Sequence, residues 1–280
     1  MERQRNNTLE IMKLIASYMV ILIHFYFKDG FGGVMDALAR FAVPLFFIVS
    51  GFYSYQISLD KIKKRIKRIA YISLSATFLY TAFNVAPLIL AGNTAELSAY
   101  FERYLDLRVL LRLFVFNIPL SSEHLWFLLA LIYVYVIFYL AAKYKVSDAW
   151  VLGISLLLLS VHIVAGEFAL AIGVDLKAFI VRNFLLMGVP FFGLGLVAKK
   201  YEERILKTPD IVVIVMLVLG VLETCLSRTI IGKNELYVGS LFVCLSIVAV
   251  FIKYSGKEYP EVVNKISSCN IYIYIYRTCW

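Results

Sequence analysis

The apolar residues of this 280-residue chain fall into runs of roughly twenty, separated by short segments that hold most of its charge. That pattern leaves few folds open. Inside hydrocarbon each backbone N–H and C=O must find its partner within the protein, and a helix satisfies them all locally. About 20 helical residues cover the ~30 Å hydrocarbon core. The overall balance agrees: 61% of residues are hydrophobic and only 17% charged, where soluble domains run near a quarter charged. The formal net charge of +9 does not read as a nucleic-acid signal, because the basic residues map to loops.

The expected spans are 9–27, 36–57, 69–91, 124–142, 149–165, 179–198, 210–226 and 236–252, with a last apolar segment beginning near Val262. The fold class that follows is all-α, a polytopic membrane helical bundle of eight complete transmembrane helices plus a partial C-terminal one. Residues 100–119 differ, mixing charge with apolar residues at helical spacing, and predict an amphipathic helix lying in the interface. No linker, low-complexity tract or soluble domain is visible, so residues 1–280 are read as a single membrane domain.

Orientation follows from the loops. With the N-terminus in the cytoplasm, the inner side collects most of the 28 Lys+Arg, above all in the segment KIKKRIKR at 61–68. The first span is longer than a typical signal-peptide core, and Phe25-Tyr26-Phe27-Lys28 offers no small-residue cleavage site. Cys225, Cys244, Cys269 and Cys279 lack ligand-like spacing, so neither a disulfide framework nor a metal site is expected.

Within the first span three ionisable residues stand out. His24 sits in a nearly unbroken apolar run from Ile11 to Phe27, Lys13 lies eleven positions before it, and Glu10 falls on nearly the same stripe. Eleven residues at 100° each return to the same helix face about 16 Å further along the axis. Ionisable groups inside a span are costly and usually face the bundle interior for a functional reason.

These residues sit in stretches with a familiar form. The opening reads NTLEIMKLIASYMVILIHFYF from Asn7, followed by VPLFFIVSGF from Val43 to Phe52, RIKR from Arg65 to Arg68, and HLWFL from His124 to Leu128. Together and in this order they resemble the membrane-bound acyltransferase 3 family, bacterial O-acyltransferases that acylate sugars of surface polysaccharides and related glycans. Two departures accompany the resemblance. The family's basic residue in the first helix is usually arginine, where this chain has Lys13. The family's last helix commonly ends in Ile-Tyr-Leu-Ile-His, whereas here Ile273-Tyr274-Ile275-Tyr276 is followed by Arg277. Against the family's usual ten membrane helices, the resemblance implies a C-terminally shortened member.

The resemblance implies transfer of an acyl group, acetyl above all, from cytoplasmic acyl-CoA (acetyl-CoA) to a hydroxyl of a cell-surface polysaccharide or lipid-linked glycan. His24 is the expected general base, since a neutral imidazole can take the hydroxyl proton. Lys13 is expected to hold a phosphate or carbonyl oxygen of the donor, or to balance Glu10; snorkelling to the headgroups is the plain alternative. Arg65 and Arg68 are expected to dock the CoA phosphates, against a simpler role as lipid anchors. His124 is read as a sugar-binding residue or an orienter of His24, and Trp126 as an interfacial aromatic residue. His162 lacks a motif and reads as structural. Ser50 lacks the surroundings of a serine nucleophile. Pro44 and Pro190 are expected to kink their helices. Two other readings stay open: a transporter module for a small polar metabolite such as serine, and an inactive truncated remnant. Neither a bound cofactor nor nucleic acid is expected.

Overall fold

The computed structural model describes residues 7–24, 29–119 and 121–255, and all the described regular structure is helical. The elements are α1 (Asn7–His24), α2 (Asp29–Ala39), α3 (Ala42–Phe52), α4 (Leu59–Leu90), α5 (Thr94–Leu105), α6 (Leu107–Phe116), α7 (Trp126–Lys143), α8 (Asp148–Ile163), α9 (Ala169–Ala171), α10 (Ala178–Val181), α11 (Val189–Lys200), α12 (Glu202–Leu206), α13 (Asp210–Ile231) and α14 (Val238–Tyr254). Turns of π-helix at Val164–Phe168 and Phe184–Gly188 follow α8 and lead into α11.

Five helices among the described residues are long and apolar enough to cross a membrane: Gly30–Phe52, Leu59–Leu90, Glu123–Lys143, Asp148–Ala171 and Asp210–Ile231. The expectation of eight complete spans is therefore corrected. The first expected span is occupied by α1, an 18-residue helix whose apolar stretch among the described residues is Leu14–Ile23. The span expected at 179–198 starts only at Phe184, since Arg182 and Asn183 leave helical geometry. Asn183 there accepts from the amides of Leu185 and Leu186, 2.9 Å each, and so fixes a helix start. The span expected at 236–252 begins at Val238 and holds 17 residues. The segment from Val262 onward lies outside the described residues.

Two smaller expectations also change. Residues 100–119 do not form one amphipathic helix; the chain breaks at Asp106, whose carboxylate caps α6 by accepting from the Arg108 amide at 2.8 Å. Neither α5 nor α6 buries a residue, and Leu107, Leu111 and Phe114 of α6 are all more than half exposed. Pro44 and Pro190 do not kink helix interiors. Pro44 stands in the first turn of α3, and Pro190 is the second residue of α11, directly after the π-helical turn Phe184–Gly188 that precedes it.

The core forms around α3 and α11, which pack side by side with flanking contacts from α1, α7, α8 and α14. Two glycines make this close approach possible. A Cβ at Gly51 would collide with the Phe192 carbonyl oxygen, and one at Gly195 with the Ile48 carbonyl oxygen. Lipid tails supply no hydrophobic drive between helices, so backbone-to-backbone packing of this kind is what holds such pairs together. The outward faces remain apolar. Tyr71, Leu74, Phe78 and Phe83 of α4 are each at least 70% exposed, a stripe suited to lipid rather than water.

The packing sorts the helix ends into two groups. One end carries the basic segment, the Lys200–Asp148 ion pair at 2.7 Å and the Lys253–Asp210 pair. The opposite end carries Glu123, Arg182, Glu235 and Arg40.

Gly51→Ala and Gly195→Ala should each lower the thermal midpoint in detergent clearly, by the order of 1–3 kcal/mol expected of overpacking, since the clashing atoms are backbone. Gly153→Ala, where a Cβ would meet nothing within 4 Å, should leave the midpoint unchanged or raise it slightly. Melting curves of the three purified variants check this.

Candidate functional site

At the end of the bundle opposite the basic segment, a chain of charged residues from distant parts of the sequence leads to Arg40. This arginine occupies the junction between α2 and α3 and is 6% exposed. One guanidinium nitrogen donates to Glu235 at 2.7 Å; another donates to both oxygens of Asp36 at 2.9 and 3.1 Å. Glu235 also lies 3.7 Å from Arg182, which in turn stands 3.9 Å from Glu123 and 5.6 Å over the ring of Trp126. The result is an alternating chain of charge: Asp36, Arg40, Glu235, Arg182, Glu123. A buried arginine is tolerable only with such partners, since an unpaired one would carry most of its desolvation cost.

Local sequence explains how each member is held. Asn117 adopts a left-handed conformation, φ 49, that Asn accepts more readily than most residues. Its side chain donates to the Trp126 carbonyl at 3.2 Å and accepts from the Phe184 amide at 2.9 Å. It thereby joins the end of α6, the start of α7 and the π-helical turn beside Arg182. Glu235 is presented by the loop 232–237, where Tyr237 is fully buried. The Tyr237 hydroxyl donates to the Gly232 carbonyl at 2.8 Å and accepts from the Asn234 amide at 3.0 Å. Burial pushes this phenol up to about 12, so it stays neutral and keeps donating.

The residues expected from sequence are distributed as follows. His124 and Glu123 are exposed beside Arg182, at the mouth of the network. Trp126 is a buried prop, packed on Phe47 with ring centroids 6.5 Å apart and roofed by Arg182. Arg65, at the opposite end, is tied down. It donates to the Ser54 hydroxyl at 2.7 Å, the Tyr53 carbonyl at 3.0 Å and the Tyr135 hydroxyl at 3.3 Å. Those bonds lock the turn between α3 and α4. Arg68, with Lys61, Lys63, Lys64 and Lys67, is exposed. Glu10, Lys13 and His24 lie on α1, and their side chains fall outside the described residues. The helix itself packs against α2, α3 and α14. Its last residue, His24, is five positions before Asp29, a reach of at most ~18 Å. From there α2 runs past Arg228, which donates to the Gly33 carbonyl at 3.1 Å, to Asp36 and the Arg40 junction. His162 is buried against the backbone of Val181 and Leu186 without a hydrogen bond of full geometry to either.

Sequence reasoning missed Arg40, Asp36, Arg182 and Glu235, treating the arginines as loop charges. One signal was present: Asp36 and Arg40 are four apart, a spacing that pairs side chains on a helix, inside an apolar segment. Glu235 carried none, because its partner is 195 positions away. Among the described residues no cluster of three or more metal-ligating side chains occurs.

Breaking the network from one side should be costly. Glu235→Ala is expected to destabilise the protein by about 3–5 kcal/mol, because it strands a buried guanidinium between fewer acceptors. Glu123→Ala, at the exposed end of the chain of charge, should cost no more than about 1 kcal/mol. Thermal unfolding of the two variants in one detergent tests the contrast.

No curated protein and no solved structure matches the chain. A family described as an acyltransferase domain matches residues 6–276, nearly the whole sequence. With its long apolar helices and this match, the chain is a multi-pass membrane protein that belongs to the acyltransferase 3 family, O-acyltransferases that use acyl-CoA-type donors.

Proposed function

We propose that this protein moves an acetyl group from cytoplasmic acetyl-CoA to a hydroxyl of a cell-surface polysaccharide or lipid-linked glycan in the plasma membrane. The family match over 6–276 carries this reading, and the separation of two differently charged ends supports it. The basic end, placed in the cytoplasm by the positive-inside rule, offers Arg68 and four exposed lysines to the phosphates of CoA. Arg65 then acts as a positioning residue, holding the turn from which this segment starts. At the other end, exposed Glu123 and His124 beside Arg182 present acceptors and donors of the kind that grip sugar hydroxyls.

His24 is the proposed general base. Its imidazole takes the hydroxyl proton as the oxygen attacks the thioester carbonyl; the C–S bond breaks, and the proton ends on the departing thiolate. Lys13 is proposed to hold a donor oxygen, with Glu10 balancing its charge. A lysine does this as a point charge, without the two-pronged grip of arginine.

With purified protein, labelled acetyl-CoA and a glycan acceptor, His24→Ala should lower transfer by roughly 10²–10⁴-fold at normal expression. Transfer near the wild-type rate would remove His24 from the chemistry. Lys13→Met should raise KM for acetyl-CoA, lower kcat, or both, and Lys13→Arg should restore them. Unchanged constants in Lys13→Met would leave the lysine as an anchor. Orientation is checked by cysteine labelling: Lys64→Cys should react only from the cytoplasm and Ala91→Cys, at the far end of α4, only from outside.

A further inference from the structure

A second polar group lies inside the bundle where α14 begins, and acyl transfer makes no use of it. Glu167 belongs to the π-helical turn after α8 and is 8% exposed; Glu223 lies on α13. Their carboxylates accept from neighbouring amides. Glu167 takes the Val238 N–H at 2.7 Å, and Glu223 takes the Gly239 N–H. Successive amides in a first helical turn stand about 3 Å apart, so the two carboxylates are brought close to each other. Ser227 donates to the second oxygen of Glu223 at 2.7 Å. Neither carboxylate forms an ion pair among the described residues.

The charged groups nearby are otherwise engaged. Arg228 points to the Gly33 carbonyl, Arg40 is shared by Asp36 and Glu235, and the Tyr237 hydroxyl donates to Gly232. Thr224, buried and without a partner for its hydroxyl, closes on the same face of Gly239 as Glu223 does. A Cβ at Gly239 would strike Glu223, Thr224 and the Gly220 carbonyl.

Two like charges held this close in a membrane span, with no cation beside them among the described residues, repel each other strongly. We infer that Glu167 and Glu223 form a proton-binding site in which one proton is shared between the two carboxyl groups, latching α14 onto α8 and α13. The Thr224 hydroxyl is the donor that turns to a carboxylate when the proton leaves. A π-helical turn at a single acidic residue is a feature often found at functional positions, and here it delivers Glu167 to the pair.

Infrared difference spectra of the purified full-length protein at neutral pH, wild type minus Glu167→Gln and wild type minus Glu223→Gln, test this. A protonated-carboxyl C=O band is expected in both differences, because the amide of either glutamine can donate to the remaining carboxylate and replace the proton. No band in either difference would overturn the shared proton. Labelling of the wild type with a hydrophobic carbodiimide, which attacks protonated carboxyls, stands even where a variant fails to fold. Mass spectrometry should find Glu167 or Glu223 modified at neutral pH and less so as pH rises. Absence of label on both, with the reagent active on a membrane control, would show that the pair is ionised.

Discussion

Arg40 is the constraint on which much of this bundle depends. A guanidinium that is 6% exposed must have acceptors in place, and those acceptors come from distant parts of the chain. Asp36 supplies one from α2 and Glu235 supplies the other from the loop ahead of α14. Glu235 passes the interaction to Arg182, and Arg182 reaches Glu123 and Trp126. These distant parts are thereby held in register at one end. The alternating signs explain why the cluster is tolerated beside an apolar core: each charge is flanked by its opposite, and the outermost member, Glu123, is in contact with solvent.

Below that network the helices are held by shape. Gly51 and Gly195 let α3 and α11 meet backbone to backbone, and Gly220 and Gly239 do the same for α13 and α14. Such contacts are rigid, so the two polar ends keep a fixed relation. For the proposed transfer, in which donor and acceptor arrive from different sides, a frame between two chemically distinct ends is useful. In the proposed reaction the basic end meets the polyanionic donor and the mixed-charge end meets the hydroxyl-bearing acceptor.

Much of the fold was legible in the sequence. The apolar runs gave the all-helical class, and four ordered motifs gave the family that the match over 6–276 then established. The number of spans was not legible. Hydropathy averages over a window and does not see that Asn183 starts a helix with its side chain. The site was half visible. His124 and Trp126 were picked out by a motif and do lie together beside Arg182, yet Trp126 proved to be an internal prop. Arg65 was picked out for a ligand and is committed to Ser54, Tyr53 and Tyr135. Partners such as Glu235 for Arg40 emerge only when the fold brings residues 195 apart together.

The claim that donor and acceptor are met at opposite ends of the bundle has one direct test. The protein is reconstituted into sealed vesicles of uniform orientation, with labelled acetyl-CoA on one side and a membrane-impermeant glycan acceptor on the other. Label should reach the glycan when acetyl-CoA faces the KIKKRIKR segment and the glycan faces His124, and not in the reverse arrangement. Transfer that requires both substrates on the same side would contradict the two-ended account.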